Sequence, residues 1–546
     1  MAYPSLEQYN QAFQLHSKLL TDPELKSGTV ATTGLGLPLA ISGGFALTYT
    51  IKAGPKKYAV RCFHRESKAL ERRYQAISKK ITSLRSPYFL DFNFQPQGIK
   101  VEGAPYPIVK MAWAKGETLG EFLEDNRNSP QVIAKLSTSI ESLAAFLEKE
   151  KIAHGDFSDG NLMVSDGGAT VQLIDYDGMF VDEIKALGST ELGNVNFQHP
   201  KRKILNPFDH TLDRFSLISL WLALKALQAD PSTWVKTNSE SVAIVFRAND
   251  FADPGSSPVF GLLAGNRALS AYIKNFAAIC VSAMEKVPSL ADFIAGKNIP
   301  APATEIRITG TIQPGRPKPG YIGAYDVVSA LDYDMCLRHV GYKVEAIGKI
   351  INVKLGKGNN GKPYVFINFG DWRGQIFKIS IWSEGLNALR SKPDSSWVGK
   401  WISVIGLMDP IYVNDKYKSS SVSITITTSG QMTILSEDVA RWRLAGPRAG
   451  GQASISGGSN KETLDRIKGR SKPSSAPTTS IAPTSSANQA LLNKIRAAQH
   501  SVPTTPSTYQ PPPMIQQSYK STPPVQKNVP PSIIAKIIAW ISSFFN

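Results

Sequence analysis

Asp156 stands in a polar loop, His154-Gly155-Asp156-Phe157-Ser158-Asp159-Gly160-Asn161, that runs straight into apolar Leu162-Met163-Val164. A Gly167-Gly168 turn follows, and then a second apolar run, Val171-Gln172-Leu173-Ile174, stops at Asp175, fourteen residues after Asn161. A polar loop feeding a strand, and a second strand ending in an acidic turn, restrict the chain to folds that present carboxylates at strand ends. The spacing between the two acids carries more weight than either segment alone.

The residue types around these acids suit phosphoryl transfer. That chemistry needs held phosphates, a magnesium ion bound by carboxylate and amide oxygens, and a carboxylate that orients the acceptor hydroxyl. Ser42-Gly43-Gly44-Phe45-Ala46 lies between strand-like segments, and its glycines let backbone amides approach phosphate oxygens. Tyr58-Ala59-Val60-Arg61-Cys62-Phe63 reads as the next strand, with Arg61 as its one central charge. The helical spacing of Leu70, Tyr74, Ile77, Ile81 and Leu84 predicts a helix after this strand that carries Glu71, with Glu66 just before it. Leu212-Asp213-Arg214-Phe215 opens a long apolar helix, Phe215–Leu227, with Asp213 at its start.

In this order the segments resemble the protein kinase superfamily. The loop matches the catalytic-loop pattern H-x-D-x-x-x-x-N, Asp175-Tyr176-Asp177 stands at the D-F-G position, and Leu212–Leu217 is similar to the start of the large buried kinase helix. More narrowly, residues 30–300 resemble bacterial kinase-like proteins, some of which carry helix-hairpin-helix segments. That likeness is carried by Tyr58–Phe63, by Tyr106–Met111, by Ile174-Asp175-Tyr176-Asp177-Gly178-Met179-Phe180-Val181 and by Phe197-Gln198-His199-Pro200. The resemblance implies a two-lobed α+β fold that binds ATP and Mg2+ and transfers the γ-phosphate to Ser or Thr of a protein substrate. It implies catalytic roles for Asp156 and Arg61, and nucleotide binding by Gly43, Gly44, Phe45, Ala46, Arg61 and Glu71. It further implies magnesium binding by Asn161 and Asp175, and structural roles for His154 and for Asp213, which caps the catalytic-loop backbone. The resemblance also pairs Arg61 with Glu71, or alternatively with Glu66. Four departures bear on turnover: Arg61 replaces the usual lysine, Ser158 replaces the lysine that contacts the γ-phosphate, Gly155 replaces an arginine that contacts a phosphorylated activation loop, and Ala46 stands where a third glycine is usual. The alternative reading is a pseudokinase scaffold, or a nucleic-acid-associated regulator.

A chain of 546 residues exceeds one core. Residues 1–300 form the kinase-like domain and 301–340 a Pro- and Gly-rich linker. Residues 341–437 turn to short β-like runs separated by turn signals and are expected to form a small all-β barrel of the OB type. Its candidates for single-stranded nucleic acid are Tyr364, Phe366, Trp372, Arg373, Lys378 and Trp382; an adaptor protein is the competing partner. Residues 438–530 are rich in Ser, Pro and Thr and read as a disordered basic linker. About half of the net charge of +17 lies from residue 447 onward, with 11 Lys or Arg against 2 Asp or Glu. Residues 531–546 have apolar residues at helical spacing. At ~1.5 Å per residue such a helix falls short of a ~30 Å hydrocarbon core, so it suits peripheral membrane or partner docking. Cys62, Cys280 and Cys336 are far apart and the N-terminus lacks a basic–apolar leader, which points to the cytoplasm.

Overall fold

The computed structural model describes residues 3–32, 37–42, 46–64, 69–302, 304–310, 319–358, 361–414 and 416–446, a mixed α+β chain with several sheets. Gly43, Gly44, Phe45 and Glu66 lie outside the described residues, as do the basic linker from 447 and the C-terminal segment. Among the described residues no helix is long and apolar enough to cross a membrane. All three cysteines are free and buried.

The first half is built on an antiparallel sheet of six strands, with Ala46–Ala53, Lys56–Phe63, Ala104–Ala112 and Phe92–Val101 as neighbours. Lys56–Phe63 is buried at six consecutive positions because helices cover both faces. On one face Tyr49, Ile51, Val60 and Cys62 pack against Tyr9 and Phe13 of the helix Leu6–Gln14. On the other, Ala59, Phe63 and Val109 meet Tyr74, Ile77 and Ile81 of the helix Leu70–Leu84. A guanidinium in such a strand requires ionic partners, and Arg61 is only 5% exposed.

The second half of residues 1–300 is helical. Pro130–Glu150 begins with Pro in its first turn, where the missing N–H costs nothing. It packs along Arg214–Ala229, which is buried almost all round, as its unbroken apolar run predicts. The two helices are also joined by Arg214–Glu148 at 2.7 Å and by Trp221 Nε1 donating to Glu141 at 2.6 Å. A small sheet of Glu117–Thr118, Leu162–Ser165 and Thr170–Leu173 carries both acidic segments. The second strand ends two residues earlier than expected, because Asp175 adopts a left-handed backbone, φ 63°.

The β region is larger than the sequence suggests. Lys343–Lys349 and Asn352–Lys357 are separate strands in two different sheets. One sheet runs Asp326–Ser329, Lys343–Lys349, Trp401–Leu407, Met432–Leu435. The other runs Asn352–Lys357, Pro363–Asn368, Gln375–Ile381, Ser419–Thr425, Tyr412–Asn414. Both expected boundaries therefore move. The 301–340 linker contains a strand, Asp326–Ser329, and a helix, Tyr333–Arg338. The segment assigned to the tail from 438 begins with most of a helix, Glu437–Leu444. Short polar-flanked elements of this kind gain their stability from tertiary packing, so periodicity alone does not reveal them.

That last helix locks the two regions together. Arg443, 2% exposed, pairs through Nη2 with Glu240 of the helical half at 2.7 Å and through Nη1 with Glu345 of the β region at 2.8 Å. Glu345 also accepts from Tyr321 and Ser403, and Glu240 also pairs with Arg247. Removing one member of such a network strands the others. Arg443→Ala should destabilise the protein by about 3–5 kcal/mol in urea unfolding. Burial would raise the Glu240 carboxyl, but Arg247 and Arg443 hold it down at about 2 against its ordinary 4.5. Its contribution is then complete above pH 4.5 and is lost as pH falls toward 2, so acid melting should be steeper across that window in the wild type than in Arg443→Ala.

Candidate functional site

Asp213 organises the loop that carries Asp156. Its buried carboxylate accepts from the backbone N–H groups of His154 at 2.5 Å and Gly155 at 2.9 Å. The role expected of it, capping that backbone, matches this geometry. His154 donates from Nε2 to the Ile174 carbonyl at 2.8 Å, fastening the loop to the strand that leads into Asp175. Gly155 has φ 78°, and a Cβ there would stand 2.2 Å from the Gly178 carbonyl oxygen. Glycine is thus required by the backbone of the second acidic segment, which is a physical reason for the absence of arginine.

Both oxygens of Asp156 are engaged. Oδ1 accepts from the Asn194 backbone N–H at 3.0 Å, and Oδ2 from Asn161 Nδ2 at 3.0 Å. Asn161 Nδ2 also donates to the Asp156 carbonyl at 2.9 Å, which leaves the amide oxygen for a cation. Asn194 is held in turn by its own Nδ2 on the Val242 carbonyl, alongside Asn196 Nδ2 at 3.0 Å. Burial, with the neighbouring Asp175 charge, raises the Asp156 carboxyl above the usual range.

Arg61 lies against the second acidic segment. Its Nη1 donates to Asp175 Oδ1 and its Nη2 to Asp177 Oδ2, each at 2.7 Å. Tyr74 donates its hydroxyl to the other oxygen of Asp177, and Thr190 Oγ1 donates to the Asp177 carbonyl at 3.3 Å. The expected pairing with Glu71 is not what the chain forms: Glu71 is exposed on the helix Leu70–Leu84, and the helix residue that turns inward is Tyr74. Ala46 is buried at the start of its strand, 1% exposed.

The charges differ sharply within this group. Burial would raise Asp175, but the Arg61 guanidinium brings it below the ordinary value. At Asp177 burial prevails over Arg61 and the carboxyl rises to about 6. Asp159 is pushed up to about 7 by burial. Glu191, from the segment that folds over the site, is raised by burial and by Asp177, Asp156 and Asp175 together. This surplus of carboxylates relative to Arg61 favours a bound cation, and oxygen donors from Asp175 and Asn161 suit magnesium. Among the described residues no three His, Cys, Asp or Glu form a ready-made cation cage. Magnesium held with a nucleotide needs only one or two carboxylates, because phosphates fill the remaining positions.

Asp177, Tyr74, Asn194 and Glu191 were not singled out from sequence. Asp177 had a visible signal, the second acid of Asp175-Tyr176-Asp177, whereas Asn194 acts through its backbone and leaves none. Ser189 and Thr190 are buried, with their hydroxyls on the Glu191 and Asp177 carbonyls, so neither presents a free hydroxyl for modification. In comparisons with known proteins, no family model and no curated protein matches the chain. Asp213→Ala removes two charge-assisted bonds and should destabilise the helical half by about 3 kcal/mol, read by urea unfolding.

Proposed function

We propose that the protein is an ATP- and magnesium-dependent protein kinase that transfers the γ-phosphate to Ser or Thr of a protein substrate. The observation that carries this reading is the capped loop. Asp213 fixes the His154–Gly155 backbone so that Asp156, Asn161, Asp175 and Arg61 converge from three separate segments. In the reaction Asp156 orients the acceptor hydroxyl and takes up its proton. Arg61 holds nucleotide phosphates, and Asp175 with Asn161 holds magnesium. The metal supplies neutralisation of the charge that gathers on the transferred group. A two-lobed kinase arrangement is supported by the antiparallel sheet with its single inserted helix, followed by the helical half.

For the β region we propose an OB-type barrel. The support is its order of pairing, above all the parallel pair Gln375–Ile381 with Ser419–Thr425, and the Met408–Ile424 bridge between the sheets. One sheet face favours single-stranded nucleic acid as its partner. Tyr364, Phe366 and Trp382 lie with ring centroids 4.7–5.8 Å apart, and Lys378 sits over Phe366 at 4.6 Å and Tyr412 at 5.5 Å. Lys354 and Arg373 flank Trp372 nearby. Rings for stacking, interleaved with cations for phosphates, are the two things a single strand needs.

Two measurements test these readings. Asp175→Ala should abolish magnesium-dependent ATP binding in calorimetry, whereas Asp156→Ala should still bind but transfer label about 10²-fold more slowly or less. A wild type that binds ATP and phosphorylates no protein would make it a pseudokinase. For the β region, a fluorescent oligothymidylate should bind in anisotropy titrations and dissociate with added salt. Trp382→Ala should weaken it by about 1–3 kcal/mol. Absence of binding in the wild type would favour an adaptor protein as partner.

A further inference from the structure

Arg61 is gripped by two carboxylates that belong to one short stretch of chain. We propose that Asp177, rather than Glu71, is the residue that positions Arg61 for nucleotide phosphates. The inference rests on the nucleotide-site reading above and assigns Asp177 a role within it.

The geometry follows from the backbone. Asp175 takes a left-handed conformation, and Tyr176–Gly178 then form one tight 3-10 turn. Side chains two residues apart thereby come to the same side and meet the two arms of one guanidinium, Asp175 on Nη1 and Asp177 on Nη2. A planar fork can bridge two acids in this way; an ammonium is a point charge and lacks that fixed span. This gives a physical reason for arginine at position 61.

The two carboxylates are not equivalent. The Asp175 side chain is 44% exposed, whereas that of Asp177 is 8% exposed and bonded on its other oxygen by Tyr74. Asp175 can therefore turn to a cation while Asp177 keeps Arg61 paired, so the buried guanidinium is never left alone. The helix Leu70–Leu84 contributes a hydroxyl rather than a counter-charge. It need not swing inward to complete the ion pair, because the partner of Arg61 travels with the magnesium-binding segment.

The test is Mg-ATP affinity, by calorimetry on the full chain, in Asp177→Asn, Asp177→Glu, Glu71→Gln and Tyr74→Phe. Asp177→Asn should weaken binding by about tenfold or more, with Asp177→Glu recovering part of the loss and Glu71→Gln staying within about twofold. In an Arg61→Gln background Asp177→Asn should cost nothing further, since it acts only through that arginine. A general loss of folding would not produce that selective silence. If Asp177→Asn does not melt cooperatively, Tyr74→Phe carries the test and should weaken binding by about threefold. The proposal is overturned if a folded Asp177→Asn binds like wild type, if Glu71→Gln shows the larger loss, or if Asp177→Asn is equally damaging without Arg61. A wild type that binds no Mg-ATP would instead refute the nucleotide site itself.

Discussion

A guanidinium buried between a sheet and a helical half cannot persist without carboxylates, and Arg61 determines where those carboxylates must stand. Asp175 and Asp177 answer it from the far side of the chain, 114 and 116 residues away. The pairing joins the strand Lys56–Phe63 to the segment after Thr170–Leu173, and so brings the two halves together at the acids. It also explains the left-handed backbone at Asp175, a conformation that costs a non-glycine residue of order 1–3 kcal/mol and persists only where its surroundings enforce it.

A second buried arginine governs how the β region sits. Arg443 binds Glu240, and two residues on, the Val242 carbonyl accepts from Asn194 and Asn196. Asn194 donates its backbone N–H to Asp156. Ion pairs, a short stretch of backbone from Glu240 to Val242 and hydrogen bonds thus link the β region to the loop acid. Lys343, at the edge of the same region, adds positive charge within reach of Asp159 and Asp156 and partly offsets the burial that raises both. The β region is physically part of the surroundings of the site.

Local patterns told most where packing simply follows periodicity. The helix Arg214–Ala229 was legible because an apolar run leaves a burial requirement in the sequence itself. The cap by Asp213 was expected from the likeness of Leu212–Leu217 to the start of a large buried helix, not from any local pattern. Glu71 misled, because an acid in the first turn of a helix says nothing about which face turns inward. The inward face was set by Leu70, Arg73, Tyr74 and Ile77. The strand Asp326–Ser329 and the helix Glu437–Leu444 were missed because each is stabilised chiefly by what it packs against.

By itself, the sequence determined the long apolar helix and which acids lie near strand ends, since side-chain period and turn residues act over a few positions. The burial of Arg61 was decided by the helices that cover both faces of its strand. Only the tertiary structure decided which carboxylates meet that charge, that Asn194 reaches Asp156 through its backbone, and that Arg443 joins the two regions. The reason is range. A periodic pattern is written in neighbouring residues, whereas an ion pair across 203 residues is fixed by the packing of everything between them.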